Sequence, residues 1–481
     1  MEIKRLAGLE PAAVFGYFEE ICAIPHGSRN TRQISDYLVN FAKSHDLRYI
    51  QDEADNVIIF GDATPGYEDH PAVILQGHMD MVCEKDADCP IDMATEGLDV
   101  THDGKVVFAK GTTLGADNGI AVAMGMAILA DKSVPHPPIE LLVTSDEEIG
   151  LLGAAAVDLS ELKGRTLINL DSEGEGIFTV SCAGGCTATI GLPVERRAVY
   201  GPCIRLAVDG LQGGHSGADI HRNRGNANKI MGEFMSRIQK LMPLCLTSLS
   251  GGAKDNAIPR SCQATLVAMG INLERINDIA QQLQDEVRQQ YNEPEATVQA
   301  FDVDALGGNS LSTESTAKVI SLLCAAPNGV QSWSKDIEGL VQTSLNMGVV
   351  KLGERLSVTL SVRSSVNSEK LELLQQLHKM ADMFEASYAE DGAYPAWEYK
   401  KESRLRDVMV STYKDLFGKD AKVEAIHAGL ECGILCDKLG EMDIISVGPD
   451  MKDIHTPREM LSIPSVERTY RLVRETLCAL A

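Results

Sequence analysis

The sequence predicts an α/β protein: a mixed, mostly parallel sheet with helices on both faces, interrupted by an inserted α+β domain. Two observations predict it. Between residues 56 and 180 short β-branched runs alternate with helical segments, and the runs 57–60, 72–75, 139–144 and 167–170 are apolar almost without a break, as strands buried on both faces are. Between about 340 and 366 the pattern becomes a strict alternation. Leu356, Val358, Leu360 and Val362 share one face, and Ser357, Thr359, Ser361 and Arg363 the other, which marks half-solvated antiparallel strands.

Taken in order, residues 1–50 read as two helices, the second with Ile34, Leu38, Phe41 and Ala42 on one stripe. Residues 119–130 read as a buried helix of small residues. The texture changes near Cys182-Ala-Gly-Gly-Cys186, after which 187–192 and 204–208 read as strands and roughly 226–241 as a helix. Beyond Trp397 the α/β texture returns. There 423–426 and 443–447 are strand-like, and 465–480 is a closing helix with Ser465 as its N-cap. The expected catalytic domain is therefore discontinuous, 1–185 plus 397–481. Residues 186–396 are the expected insert. At about 210 residues the insert is long enough for two lobes of its own.

The chain has 481 residues, 44% of them hydrophobic and 23% charged, the balance of a globular protein with sizeable cores. Sixty-nine acidic against 44 basic residues leave a net charge of −25, which argues against nucleic acid or anionic membranes as partners. No run approaches the length of a membrane span, and residues 1–10 lack the apolar core of a secretion signal. The expected location is the cytoplasm. Twelve scattered cysteines suit reduced thiols. The C-x3-C pairs Cys182/Cys186 and Cys432/Cys436 have small or apolar neighbours and read as buried thiols rather than zinc clips.

The chemistry gathers where apolar runs stop. His78 and Asp80 are two apart at the end of one run and share a face. Asp117 sits in the glycine-flanked turn Gly115-Ala-Asp-Asn-Gly119, Glu147-Glu148 follow residues 139–144, Asp171 follows 167–170, and His455 lies in a loop near the C-terminus. Thr456-Pro457-Arg458-Glu459 after it carries helix-start signals. Open α/β sheets bind ligands beyond the carboxyl ends of their strands. A pair of metal ions needs one carboxylate that reaches both, and Asp117 suits that bridge. His78 and Asp171 would complete one ion, Glu148 and His455 the other. The nitrogen-and-oxygen donor set suits two divalent ions, Zn²⁺ first, with Co²⁺ or Mn²⁺ as alternatives. Glu147 is free to act as general base toward the attacking water and the leaving amine. Asp80 can hold the second ring nitrogen of His78 and so fix its tautomer.

Five stretches, Gln76-Gly-His-Met-Asp80, Leu114-Gly-Ala-Asp-Asn-Gly119, Ser145-Asp-Glu-Glu-Ile-Gly150, Asn169-Leu-Asp-Ser-Glu173 and Asp453-Ile-His-Thr-Pro457, resemble those of the di-zinc exopeptidases. That family includes the aminoacyl-histidine dipeptidases, also called cytosolic non-specific dipeptidases. Ile24-Pro-His-Gly-Ser28 fits it too. The resemblance spans essentially the whole chain and implies the same seven roles. It also implies that the insert is a substrate-binding lid and a surface for homodimerisation, and that His215, in Gly213-Gly-His-Ser-Gly217, polarises the scissile carbonyl from that lid, with Asn256 contacting substrate beside it. Arg363, on the polar face of its strand, would clamp a C-terminal carboxylate bidentately, and Glu431, in Gly429-Leu-Glu-Cys-Gly433, would meet the substrate's free amine. The insert exceeds a single-lobe lid, so His215 could serve its own site or that of a second copy.

The expected activity is hydrolysis of the single peptide bond of dipeptides, Xaa-His among them by resemblance alone. An N-acyl amino acid deacylase or a longer-peptide exopeptidase is the alternative on the same scaffold. A metal-dependent sensor without catalysis would have lost Glu147 or Asp80, and both are present.

Overall fold

A computed structural model describes residues 5–480 except 134, 269, 271 and 304–306. The outermost residues of the expected catalytic domain, 1–4 and 481, thus lie outside the described residues, as does the start of the stretch read for a secretion signal. The chain divides into two compact units. One comprises Met1–Ser181, Tyr399–Ala425 and Leu430–Ala481, the other Cys182–Glu398 and Ile426–Gly429. Sequence texture puts 426–429 with the first domain. Instead, Ala183 N–H bonds the Ala428 carbonyl at 3.0 Å and His427 bonds Ser344 at 2.7 Å, so this short segment packs with the second unit.

In the first unit an eight-stranded sheet runs, edge to edge, Arg48–Gln51, Val57–Gly61, Ile139–Thr144, Val73–His78, Thr166–Asn169, Asp443–Ser446, Ile177–Cys182 and Lys422–Ile426. Its centre is parallel: Val73–His78 pairs in parallel with both Ile139–Thr144 and Thr166–Asn169, and Thr166–Asn169 with Asp443–Ser446. The pairs from Arg48–Gln51 to Ile139–Thr144 are antiparallel. Every residue of Val73–His78 and Ile139–Thr144 is buried, which is why these runs read as unbroken apolar stretches. The small-residue helix starts earlier than the sequence predicts, at Ala116, and runs to Ala130. It lies close to the sheet, since a Cβ on Gly125 would come within 2.4 Å of Leu141 Cδ1.

Two expectations near the C-terminus fail. Thr456–Glu459 does not open a helix: Met451–Lys452 and Met460–Ser462 pair antiparallel, and Met460–Ser462 also joins Val106–Ala109 in a small four-stranded sheet. His455 therefore sits in the connection of a hairpin, at φ +59°. The following helix runs Ile463–Leu480, so Ser465 is inside its first turn rather than capping it. Its hydroxyl bonds the Ser462 carbonyl and accepts from Asp450 N–H, both at 2.9 Å.

The second unit is built on a nine-stranded sheet whose described pairings are all antiparallel. Helices Ala227–Gln239, Leu273–Tyr291, Thr313–Ala325 and Asn367–Met383 join it in one apolar core, including Phe234, Leu283, Leu323 and Leu377. A continuous core of this kind makes one body, not two lobes. The predicted alternation holds in Arg355–Ser364 as far as Leu360, but Ser361 through Ser364 are buried on both faces. Arg363 is accordingly only 9% exposed rather than solvated.

Candidate metal centre

Parallel strands end side by side, so side chains at their carboxyl ends are gathered by the sheet itself. His78 is the last residue of Val73–His78, paired with Thr144 of the adjacent strand. Its Nε2 lies 3.2 Å from Asp117 Oδ1 and 3.5 Å from Asp171 Oδ1. On the other side His455 Nε2 lies 3.1 Å from Asp117 Oδ2 and 2.9 Å from Glu148 Oε1. The two oxygens of Asp117 thus face different imidazoles, each accompanied by one further carboxylate. Ligand atoms of His78, Asp117 and Glu148 all fall within 4.8 Å of one another.

Among the described residues these carboxylates pair only with histidines, never with lysine or arginine. Uncompensated buried carboxylates are costly, and crowding shifts several groups of the cluster. Burial, with Asp117 and Glu431 nearby, pushes Asp171 up to about 7. Hydrogen bonds to Asp117 and Glu148 raise His455 to about 10. Burial would lower His78, but Asp171, Asp117 and Asp80 hold it well above the usual imidazole range. A nitrogen-and-oxygen donor set with this excess of negative charge fits divalent cations.

Glu147 is pushed well above the ordinary carboxylate range, first by burial and then by Asp171, Glu431 and Glu148. Asp80 is fully buried, and its carboxylate faces the second ring nitrogen of His78, the position its orienting role requires, while making further contacts. The Nδ1 of His78 is 3.0 Å from the Asp80 backbone carbonyl and 3.4 Å from its carboxylate, so the carbonyl makes the shorter bond. The carboxylate itself accepts from Ser28 Oγ at 2.8 Å and from the Glu147 and Glu148 amides at 2.9 and 3.3 Å. It therefore anchors the turn that carries both glutamates.

A polar lattice that the sequence reading did not single out ties the strand ends together. Gln76 joins Asn169 at 2.5 Å and Glu431 at 2.6 Å. Asn118 bonds the His78 amide and the Leu170 carbonyl, and Glu459 accepts from the amides of residues 114–117. The available signal was a polar residue, Gln76, inside an apolar strand. Glu431 opens helix Glu431–Leu439 and is closed to solvent. One oxygen accepts from Gln76 and from Thr144, and the other has no hydrogen-bond partner.

His215, Asn256 and Arg363 belong to the second unit. His215 pairs with Ala257 in a short two-stranded ladder, and Ser216 N–H bonds the Asn256 carbonyl at 2.8 Å. The amides of Gly217 and Ala218 donate to His215 Nδ1 at 3.2 and 3.1 Å. This makes Nδ1 an acceptor and leaves the proton on Nε2, while burial and the Arg363 charge lower the pKa and favour the neutral ring. Asn256 is exposed. Arg363 donates to the Tyr394 hydroxyl at 3.0 Å, and its buried Nε has no partner. Tyr394 packs over Gly185, where a Cβ would come within 2.5 Å of its ring.

Residues 74–479 match the pattern of peptidase family M20/M25/M40. The chain is 36% identical over 480 residues to the cytosol non-specific dipeptidase of Escherichia coli (strain K12), covering 99% of both. It is 34% identical to the crystal structure of aminoacylhistidine dipeptidase from Vibrio alginolyticus, with TM-score 0.94 over 99% of this chain and 98% of that one. Aminopeptidase PepT from Bacillus cereus, 14% identical with TM-score 0.57 over 98% and 99% of the two chains, shares the fold. A match over residues 74–479, a span that includes every one of these ligand residues, means that the chain belongs to peptidase family M20/M25/M40.

Proposed function

We propose that this protein is a metal-dependent dipeptidase whose centre holds two divalent ions, with His78, Asp171 and Asp117 on one side and Glu148, His455 and Asp117 on the other. The observation that carries this reading is the division of Asp117, one oxygen toward each histidine. The dipeptidase relatives support the substrate class, and the donor set favours Zn²⁺, with Co²⁺ or Mn²⁺ as alternatives. When bound, such ions polarise the scissile carbonyl and lower the pKa of the attacking water.

Glu147 then takes the water's proton and delivers it to the departing amine; its raised pKa suits both halves of that task. Asp80 keeps Glu147 and Glu148 in place through their amides. The unpartnered oxygen of Glu431 supports a role as acceptor for the substrate's free amine. It also favours a dipeptidase over an N-acyl amino acid deacylase, whose acyl end needs an apolar pocket. The second unit, close to the predicted 186–396 insert, supplies substrate contacts in this reading. There Arg363 takes the free carboxylate with its unpaired Nε, His215 offers its Nε2–H to the carbonyl, and Asn256 lies beside it. An Xaa-His preference rests on the Vibrio relative's name and on the resemblance. Homodimerisation through this unit is part of the same proposal, read by light scattering in solution. No described helix is long and apolar enough to cross a membrane. The twelve cysteines, none of them in a disulfide, and the E. coli relative's name support a cytoplasmic setting.

The test is a hydrolysis panel on metal-reconstituted protein with free dipeptides, dipeptide C-terminal amides and N-acyl amino acids. Free dipeptides should be cleaved fastest. Glu147→Ala should lower kcat by roughly 10²–10⁴-fold with both metals retained. Arg363→Ala should raise KM for free dipeptides and leave the amides unaffected. Undiminished turnover by Glu147→Ala sinks the mechanism, and preference for N-acyl substrates replaces the dipeptidase with its rival.

A further inference from the structure

Glu459 is only 3% exposed and ends the connection 453–459 that carries His455. One of its oxygens accepts from the amides of Leu114 and Gly115 at 2.7 and 3.1 Å. The other accepts from Ala116 and Asp117 at 2.8 and 3.4 Å. These four consecutive amides lead into helix Ala116–Ala130, whose first turn is irregular: Asp117 has φ −82° and ψ 100°. Amides at a helix start lack intrahelical partners and attract a negative group, and here one carboxylate serves all four.

Its own backbone is equally constrained. Glu459 N–H bonds the Thr456 carbonyl at 3.0 Å, and the next residue enters the strand Met460–Ser462, pinned on one side to Met451–Lys452 and on the other to Val106–Ala109. A single side chain therefore ties the turn carrying Asp117 to the hairpin carrying His455, the two residues whose Oδ2 and Nε2 stand 3.1 Å apart.

We propose that Glu459 is a positioning residue that sets the Asp117–His455 half of the centre before any metal arrives, so that the ion shared with Glu148 meets a preformed site. This rests on the reading of Asp117 and His455 as ligands. Without the clamp, the amides of residues 114–117 lose their common acceptor and Asp117 loses the restraint on its irregular turn.

The test combines amide hydrogen exchange on the metal-free protein with Zn²⁺ titration of wild type, Glu459→Gln and Asp117→Ala. Metal-free wild type should protect the amides of residues 114–117. Glu459→Gln should lose that protection and bind one of two Zn²⁺ equivalents about 10–100-fold more weakly. Its kcat on a free dipeptide should fall with KM within about twofold. Amides unprotected in metal-free wild type, a result that needs no variant to fold, would overturn the inference. So would Glu459→Gln binding both equivalents with wild-type affinity. If wild type takes up fewer than two equivalents, or Asp117→Ala binds like wild type, the di-metal reading itself fails and this inference falls with it.

Discussion

His427 shows how much one side chain's surroundings matter. It is 8% exposed, with its Nε2 2.7 Å from Ser344 Oγ. Burial first, then the charges of Arg363, His215 and His221, lowers its pKa from 6.5 to about 3. Between those values the unfolded chain binds a proton that the folded chain refuses, so stability rises with pH and is lost on acidification below about 6.5. Wild type should lose about 2 kcal/mol more than His427→Asn between pH 7 and pH 5, measured as the difference in urea unfolding free energies. Equal losses would show that His427 takes up its proton without cost to the fold. At this scale the sequence was eloquent about the ligands and about Asp80 behind His78, and silent about supports made through backbone amides. Residue type and position at a strand end make His78, Asp117, Glu148, Asp171 and His455 candidates. Asp80 anchoring two amides, or Glu459 accepting four, depends on where distant backbone passes.

Among elements, the buried parallel strands were legible because continuous burial leaves a continuous apolar run. The connection 453–459 was not. Threonine, proline and glutamate there imitate a helix start, but the hairpin around His455 is set by pairing with Val106–Ala109, more than 340 residues earlier in the chain, as in the Leu461 to Val107 register. Close approach of loops at the strand ends is similarly invisible in sequence. Gly448 follows strand Asp443–Ser446, and a Cβ there would stand 1.5 Å from the Ser172 carbonyl oxygen, next to Asp171. Gly448→Ala should therefore destabilise the metal-free protein by about 1–3 kcal/mol, read by urea denaturation. It should also weaken metal binding by shifting Asp171. An unchanged unfolding midpoint would show that the two loops part freely.

For the whole molecule, the chief consequence is that the centre concentrates buried negative charge with, among the described residues, only histidines to offset it. Metal bound to the folded chain alone should then stabilise it. At a free metal concentration 100 times Kd the gain is about 2.7 kcal/mol. Calorimetry should show Tm rising with Zn²⁺ and falling on chelation, with Asp117→Ala insensitive to both. A wild-type Tm indifferent to chelator would mean that the acids are compensated in some other way.

By itself the sequence determined the class of fold, the strand ends that carry the chemistry and the donor types found there. These are local properties, written in hydrophobic periodicity and in which residues interrupt it. Only the tertiary structure decided that Asp117 divides its oxygens between two histidines, that Asp80 and Glu459 hold backbone amides, and that 426–429 pack with the second unit. Each of these joins segments far apart in the chain. Such pairings follow from sheet order and loop path, which no window of sequence contains.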